Sequence, residues 1–212
     1  EIVQPFPVQV EAFADGAVFM VNPLDCAGYA FRLVKTLRVC ANELTITYCL
    51  ENTGSKVLDT LEYCHNFVAF NRQPVGSGYV LKMPYAVEKV SGEGGGWFLS
   101  FLRKLFGRTS PDDPIKNLIL RGNSIRFRSF DQGSFYLRPA GFGVTDQPQW
   151  ELTHAGKGML MREYDDFAPV RVAIWGTVHV ISPEIFVGIK LQPGQTQTWT
   201  RRYVFETMEI DG

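Results

Sequence analysis

Leu44-Thr45-Ile46-Thr47-Tyr48-Cys49-Leu50-Glu51 puts Leu44, Ile46, Tyr48 and Leu50 at one parity and Thr45, Thr47 and Cys49 at the other. A period of two is the signature of a half-buried β-strand, because successive side chains leave opposite faces of a sheet. The stretch ends in Asn52-Thr53-Gly54-Ser55, a cluster of turn formers. Upstream, Tyr29 to Cys40 reads as its hairpin partner through Ala41-Asn42-Glu43. Further upstream, Phe6 to Phe13 and Ala17 to Asn22 flank Asp15-Gly16, a hairpin signal.

Downstream the pattern repeats. An apolar run from Val57 to Phe70 contains Glu62-Tyr63-Cys64-His65-Asn66-Phe67, and Tyr79 to Met83 follows a loop over Arg72 to Gly78. Further strands are predicted over Ile115 to Leu120, Ser124 to Phe130, Phe135 to Arg138, Gln149 to Thr153, Met159 to Glu163, Val170 to Trp175, Ile185 to Leu191 and Thr196 to Phe205. Short strands at even spacing argue for an all-β sandwich or barrel. One segment breaks the pattern. After Gly92 to Gly96, Phe98, Phe101, Leu102 and Leu105 have helical spacing with Arg103 and Lys104 opposite. A short helix packing its apolar face inward is predicted over 97–106, inside an insertion from Gly94 to Pro114.

The chain of 212 residues fits one domain, with a hydrophobic fraction of 45% and a net charge of −1. Mixed charge argues against a nucleic-acid partner, and no apolar run is long enough for a membrane span. The cysteines, Cys26, Cys40, Cys49 and Cys64, form no C-x-x-C pair. They are expected to be free and mostly buried rather than metal ligands or a disulfide framework. The compartment is not named by the sequence, with the cytoplasm favoured, and the oligomeric state stays open.

Histidine is the side chain whose charge changes near neutral pH, and a histidine with a carboxylate is the minimum for general acid–base chemistry. His65 and the carboxylate of Ser182-Pro183-Glu184 are the candidates. Each has a plainer reading: a core histidine satisfied by backbone, and a solvated turn carboxylate after a proline. His65 shares parity with Tyr63 and Phe67, so Asn66 points to the opposite face and reads as structural.

Three passages resemble the galactose mutarotase-like (aldose 1-epimerase) superfamily. The first runs from Gly28-Tyr29 through Lys35-Thr36-Leu37-Arg38-Val39 and Leu44 to Tyr48 to Asn52-Thr53-Gly54. The second is His65-Asn66-Phe67. The third runs from Trp175 through Ser182-Pro183-Glu184-Ile185-Phe186 and Pro193-Gly194 to Trp199-Thr200-Arg201-Arg202-Tyr203-Val204-Phe205. The resemblance implies a single two-sheet β-supersandwich over residues 1–212 and a sugar partner, a hexose or derivative. It also implies anomer interconversion without a cofactor or metal, with Glu184 as base and His65 as acid. It makes Trp150 and Trp175 candidate stacking platforms and Arg72 a candidate hydroxyl donor, against the plainer readings of core tryptophans and a surface arginine. Family members carry a second histidine and an arginine in an N-terminal part without counterpart here, so an upstream segment is expected to be missing. Two functions are therefore carried: an aldose 1-epimerase-like isomerase, or a non-catalytic carbohydrate-binding protein on the same fold.

Overall fold

The computed structural model describes residues 4–87, 118–128 and 134–209. The helix predicted over 97–106 lies outside the described residues. Among the described residues fourteen strands follow one another: β1 (Val8–Phe13), β2 (Gly16–Val21), β3 (Phe31–Cys40), β4 (Glu43–Asn52), β5 (Leu58–Glu62), β6 (Tyr79–Lys82), β7 (Leu118–Arg121), β8 (Ser124–Phe127), β9 (Ser134–Leu137), β10 (Trp150–His154), β11 (Met159–Asp165), β12 (Arg171–Thr177), β13 (Ile181–Leu191) and β14 (Thr196–Thr207). A 3-10 turn spans Ala155–Lys157.

Ten strands make one sheet in the order β1-β2-β3-β4-β14-β11-β10-β6-β8-β7, and four make a second, β5-β13-β12-β9. The chain is thus all-β, two sheets of antiparallel strands. The hairpins read from sequence set the register of the large sheet: Cys40 faces Glu43 across the β3–β4 turn, and Val34 faces Cys49. Cys40 and Cys49 are therefore not cross-strand neighbours. All four cysteines are free; Cys26 and Cys40 are exposed and Cys49 and Cys64 half-buried, which corrects the expectation of buried thiols.

The core lies between the sheets. From the large sheet it takes Ile46, Tyr48, Leu50, Trp150, Leu152, Trp199 and Tyr203; from the small one it takes Val172, Ile174, Ile185, Val187, Ile189 and Leu191. The alternation in β4 is the cause, since Ile46, Tyr48 and Leu50 are buried while their neighbours are not. Tyr48 stacks on Trp199 at 5.1 Å between ring centroids. Each such large side chain removed from water contributes roughly 1.5–3 kcal/mol.

Among the described residues one group is both charged and fully enclosed in this core. Arg201 donates to Glu163 at 3.0 Å, to Glu62 at 2.9 Å and to the Ile185 carbonyl at 2.9 Å, so it ties β14 to β11, β5 and β13. Glu163 also accepts from the Trp150 indole, from the Tyr203 hydroxyl and from Asn66 Nδ2. Burial pushes the Glu163 carboxyl up, and the Arg201 charge opposes that shift. Asp165 ends β11 inside this cluster; burial, and then the Glu163 charge, push it up to about 9. The sequence gives no warning in composition, but parity does: Trp199, Arg201 and Tyr203 alternate inward with an arginine in the middle.

Candidate functional site

The register of β5 on β13 builds the site. Glu62 faces Val187 at the end of the ladder, and the chain returns to the same register at the isolated bridge between Val68 and Ile181. Residues 63–67 lie between, and counting inward sets His65 opposite Glu184. The sequence predicts an unbroken strand from Val57 to Phe70, yet β5 stops at Glu62. The physical reason is Pro183, opposite Asn66. Proline has no N–H to give a ladder, so pairing fails there. Asn66 substitutes side-chain bonds: its Nδ2 donates to the Pro183 carbonyl at 2.6 Å, and its backbone N–H donates to Ser182 Oγ at 3.1 Å. Phe67 then takes a left-handed φ of +46°, costly for a bulky residue, before Val68 rejoins the sheet.

Ser182-Pro183-Glu184 is correspondingly not a turn before a strand. β13 begins at Ile181, four residues earlier than the apolar pattern suggests, and carries Glu184 in its body. Alternation sends Ile181, Ile185 and Val187 into the core and Ser182, Glu184 and Phe186 to the other face of the small sheet, which His65 covers.

His65 Nδ1 lies 2.7 Å from Glu184 Oε1. The carboxylate side chain is 1% exposed and the imidazole 40%, so the histidine roofs the acid. Ser182 Oγ donates to the same Oε1 at 3.2 Å. On the outer side, His65 Nε2 is 3.0 Å from the Tyr63 hydroxyl. Aromatic rings fix this arrangement: Phe67 stacks on His65 at 5.0 Å, Tyr63 stacks on Phe186 at 4.3 Å, and the Arg171 guanidinium sits 4.0 Å over the Phe186 ring.

Burial pushes the Glu184 carboxyl up to about 7, with the Ser182 hydrogen bond and the Arg171 charge pulling the other way. Burial also lowers His65 from its ordinary value. Both shifts disfavour charge, and the short contact between the two groups opposes both. Both groups are thus pushed towards their neutral forms, and in contact they titrate as a unit rather than as two independent groups. Such a pair takes up or gives a proton at neutral pH, the property general acid–base chemistry needs.

Of the other residues singled out in the sequence, one lies beside this pair and two lie elsewhere. Trp175 is near, edge-on to Phe67 at 5.5 Å. Trp150 is 0% exposed in the core between the sheets with its indole bonded to Glu163, so it is a packing residue with no face open to a ligand. Arg72 is exposed on the loop after Phe70, at a φ of +57°. Neither Tyr63 nor Asn66 was marked as functional by sequence reasoning. The signal for Tyr63 is its shared parity with His65, and for Asn66 the adjacent histidine. No group of three or more potential metal ligands occurs among the described residues.

No family model matches the chain, and no curated protein matches it. Solved structures do. The GalM/aldose epimerase homologue from C. elegans superposes with a TM-score of 0.63 at 11% identity, covering 95% of this chain and 69% of that one. The galactose mutarotase related enzyme from Lactobacillus acidophilus gives 0.62 at 11% identity, with coverages of 97% and 73%. A galactose mutarotase-like protein from Lactobacillus casei gives 0.60 at 13%, with coverages of 95% and 73%. The fold is therefore the galactose mutarotase-like one. This chain spans from 53% to 73% of the length of the neighbours of that fold.

Proposed function

We propose that the protein is an aldose 1-epimerase-like isomerase, acting on a free or lightly modified hexose without a cofactor. The observation that carries this reading is the His65–Glu184 contact of 2.7 Å, with the carboxyl buried and raised to about 7. Anomer interconversion opens the pyranose ring, which needs a proton delivered to the ring oxygen and one removed from the C1 hydroxyl. It closes the ring on the other face of C1 by the reverse transfers. A group poised between its acid and base forms near pH 7 serves both directions. The fold's neighbours are described as mutarotase-like proteins, which supports a sugar as the ligand. The partly exposed Phe67, with Trp175 against it, offers an apolar ring face beside the pair, the kind of surface on which a sugar stacks.

The test is anomer exchange by polarimetry and NMR on glucose and galactose. Wild type should accelerate exchange, and Glu184→Gln should lower the rate by about 10²–10⁴-fold. Absence of acceleration on every common aldose would reject the isomerase. A second reading, a carbohydrate-binding protein, draws on the burial of Glu184, which keeps the carboxylate itself out of ligand reach. Sugar binding by calorimetry without exchange would establish it.

A further inference from the structure

We propose that the Tyr63 hydroxyl is the atom that exchanges protons with the substrate, and that His65 and Glu184 form a relay behind it. This rests on the isomerase reading above, and it departs from an acid and a base that flank the sugar separately. His65 and Glu184 touch each other, so no ring fits between them. Glu184 is enclosed, and both imidazole nitrogens are engaged: Nδ1 by Glu184 and Nε2 by Tyr63. A substrate oxygen reaches either nitrogen only by breaking one of those bonds. The Tyr63 hydroxyl is the outer end of the chain Ser182–Glu184–His65–Tyr63, whose links are 3.2, 2.7 and 3.0 Å. A phenol has one proton and two lone pairs, so with one site given to His65 it keeps another for a ligand.

The links invert together. When Glu184 is ionised, His65 Nδ1–H donates to it and Nε2 accepts from the Tyr63 O–H. When Glu184 holds a proton, it donates to Nδ1, Nε2–H donates to the Tyr63 oxygen, and the Tyr63 O–H is free to point outward. The protonation of a buried acid thereby sets whether the phenol is a donor or an acceptor towards a ligand. The ring is held for this by its stacking on Phe186 and its edge contact with His65 at 4.8 Å. Burial and the nearby Glu184 push the phenol upward, which keeps it an O–H rather than a phenolate at neutral pH.

The step balances. Tyr63 gives its outward proton to the ring oxygen, takes the Nε2 proton, and Nδ1 takes the proton of Glu184. The C1–O5 bond breaks with its electrons going to O5. The C1 hydroxyl loses its proton to solvent water as the C1=O bond forms. The net donor is Glu184, which ends as a carboxylate, and closure on the other face reverses every transfer.

The experiment uses the full chain as wild type, Tyr63→Phe and Glu184→Gln. Anomer exchange on glucose and galactose is followed against pH, together with ¹⁵N chemical shifts of the His65 ring. Tyr63→Phe keeps the ring and its stacking. It is expected to lower kcat by about 100-fold or more with KM within threefold, and to remove the dependence on a group near pH 7. The His65 Nε2 resonance is expected to move, because its partner is gone. Exchange by Tyr63→Phe within threefold of wild type, while Glu184→Gln is impaired, would show that the relay ends at His65 and overturn the proposal alone. An unmoved Nε2 resonance would overturn it without any activity, since the hydrogen bond would not exist in solution. A wild-type chain inactive on every aldose would instead remove the isomerase reading, and the relay with it.

Discussion

Asn66 stands opposite Pro183, and its side-chain N–H donates to the Pro183 carbonyl over 2.6 Å. The same amide donates to Glu163 at 3.2 Å, and its Oδ1, 2.9 Å from the Tyr203 hydroxyl, shares that single proton with Glu163. One side chain thus satisfies the Pro183 carbonyl where the ladder is interrupted and fastens the His65 segment to the charged core. Asn66→Ala should leave these partners without it, at about 1–3 kcal/mol for each buried group left unsatisfied. Urea unfolding should show a clear loss of stability, and His65 should lose its fixed place over Glu184. Unchanged stability with an unchanged His65 spectrum would mean that the segment is held by other contacts.

Arg201 and Glu163 are both fully buried, with Asp165 and Glu62 beside them. Removing one partner of a buried ion pair leaves a charge without compensation, which costs about 3–5 kcal/mol. Arg201→Met should therefore unfold the chain at much lower denaturant. Arg201→Met with Glu163→Gln should recover part of the loss, because the orphaned charge is gone. A double variant no more stable than the single one would refute that account.

Much of the framework is legible in the sequence because it depends on local order. The alternation in Leu44 to Leu50 and the turn at Asp15-Gly16 need only neighbouring residues. The pairing of His65 with Glu184 depends instead on how β5 docks along β13, more than a hundred residues away. No local pattern contains that register. Even the interruption at 63–67 is caused from across the sheet, by Pro183. Trp150 shows the same limit from the other side. A tryptophan in a strand looks alike whether it faces a ligand or the core, and only the position of β10 within the large sheet decides it. Arg201 was readable as an inward position, but not the carboxylates that it would meet there.

Phe67 combines a φ of +46° with 47% exposure. The left-handed backbone costs roughly 1–3 kcal/mol for a residue of this shape. Half-burial of the ring contributes about the same order in the opposite sense. Phe67→Gly should therefore change the melting temperature little, since strain and contact are lost together. The activity should fall, because the ring stacked on His65 is also the apolar wall beside the pair. A stability loss as large as that of a core substitution would show that the ring, not the backbone, dominates at this position.

Glu184 also gives the fold a defined pH response. An ordinary glutamate releases its proton at 4.5, whereas in the folded chain burial raises this one to about 7. Between those values the folded chain holds a proton that the unfolded chain has released. Stability contributed by this group is therefore present at pH 4.5, falls as the pH rises towards 7, and is level above. The span is on the order of 1–3 kcal/mol, the His65 contact offsetting part of the burial effect. His65, lowered by burial, works in the opposite sense, losing stability as the pH falls through its ordinary value of 6.5. Comparing wild type with Glu184→Gln removes only the carboxylate. The urea midpoint of Glu184→Gln should gain on wild type steadily from pH 4.5 to pH 7, and the two curves should run parallel above. A Glu184→Gln midpoint that instead falls behind wild type as the pH rises would mean the opposite charge state, a protonated His65 holding an ionised Glu184. The neutral pair on which the relay depends would then be absent.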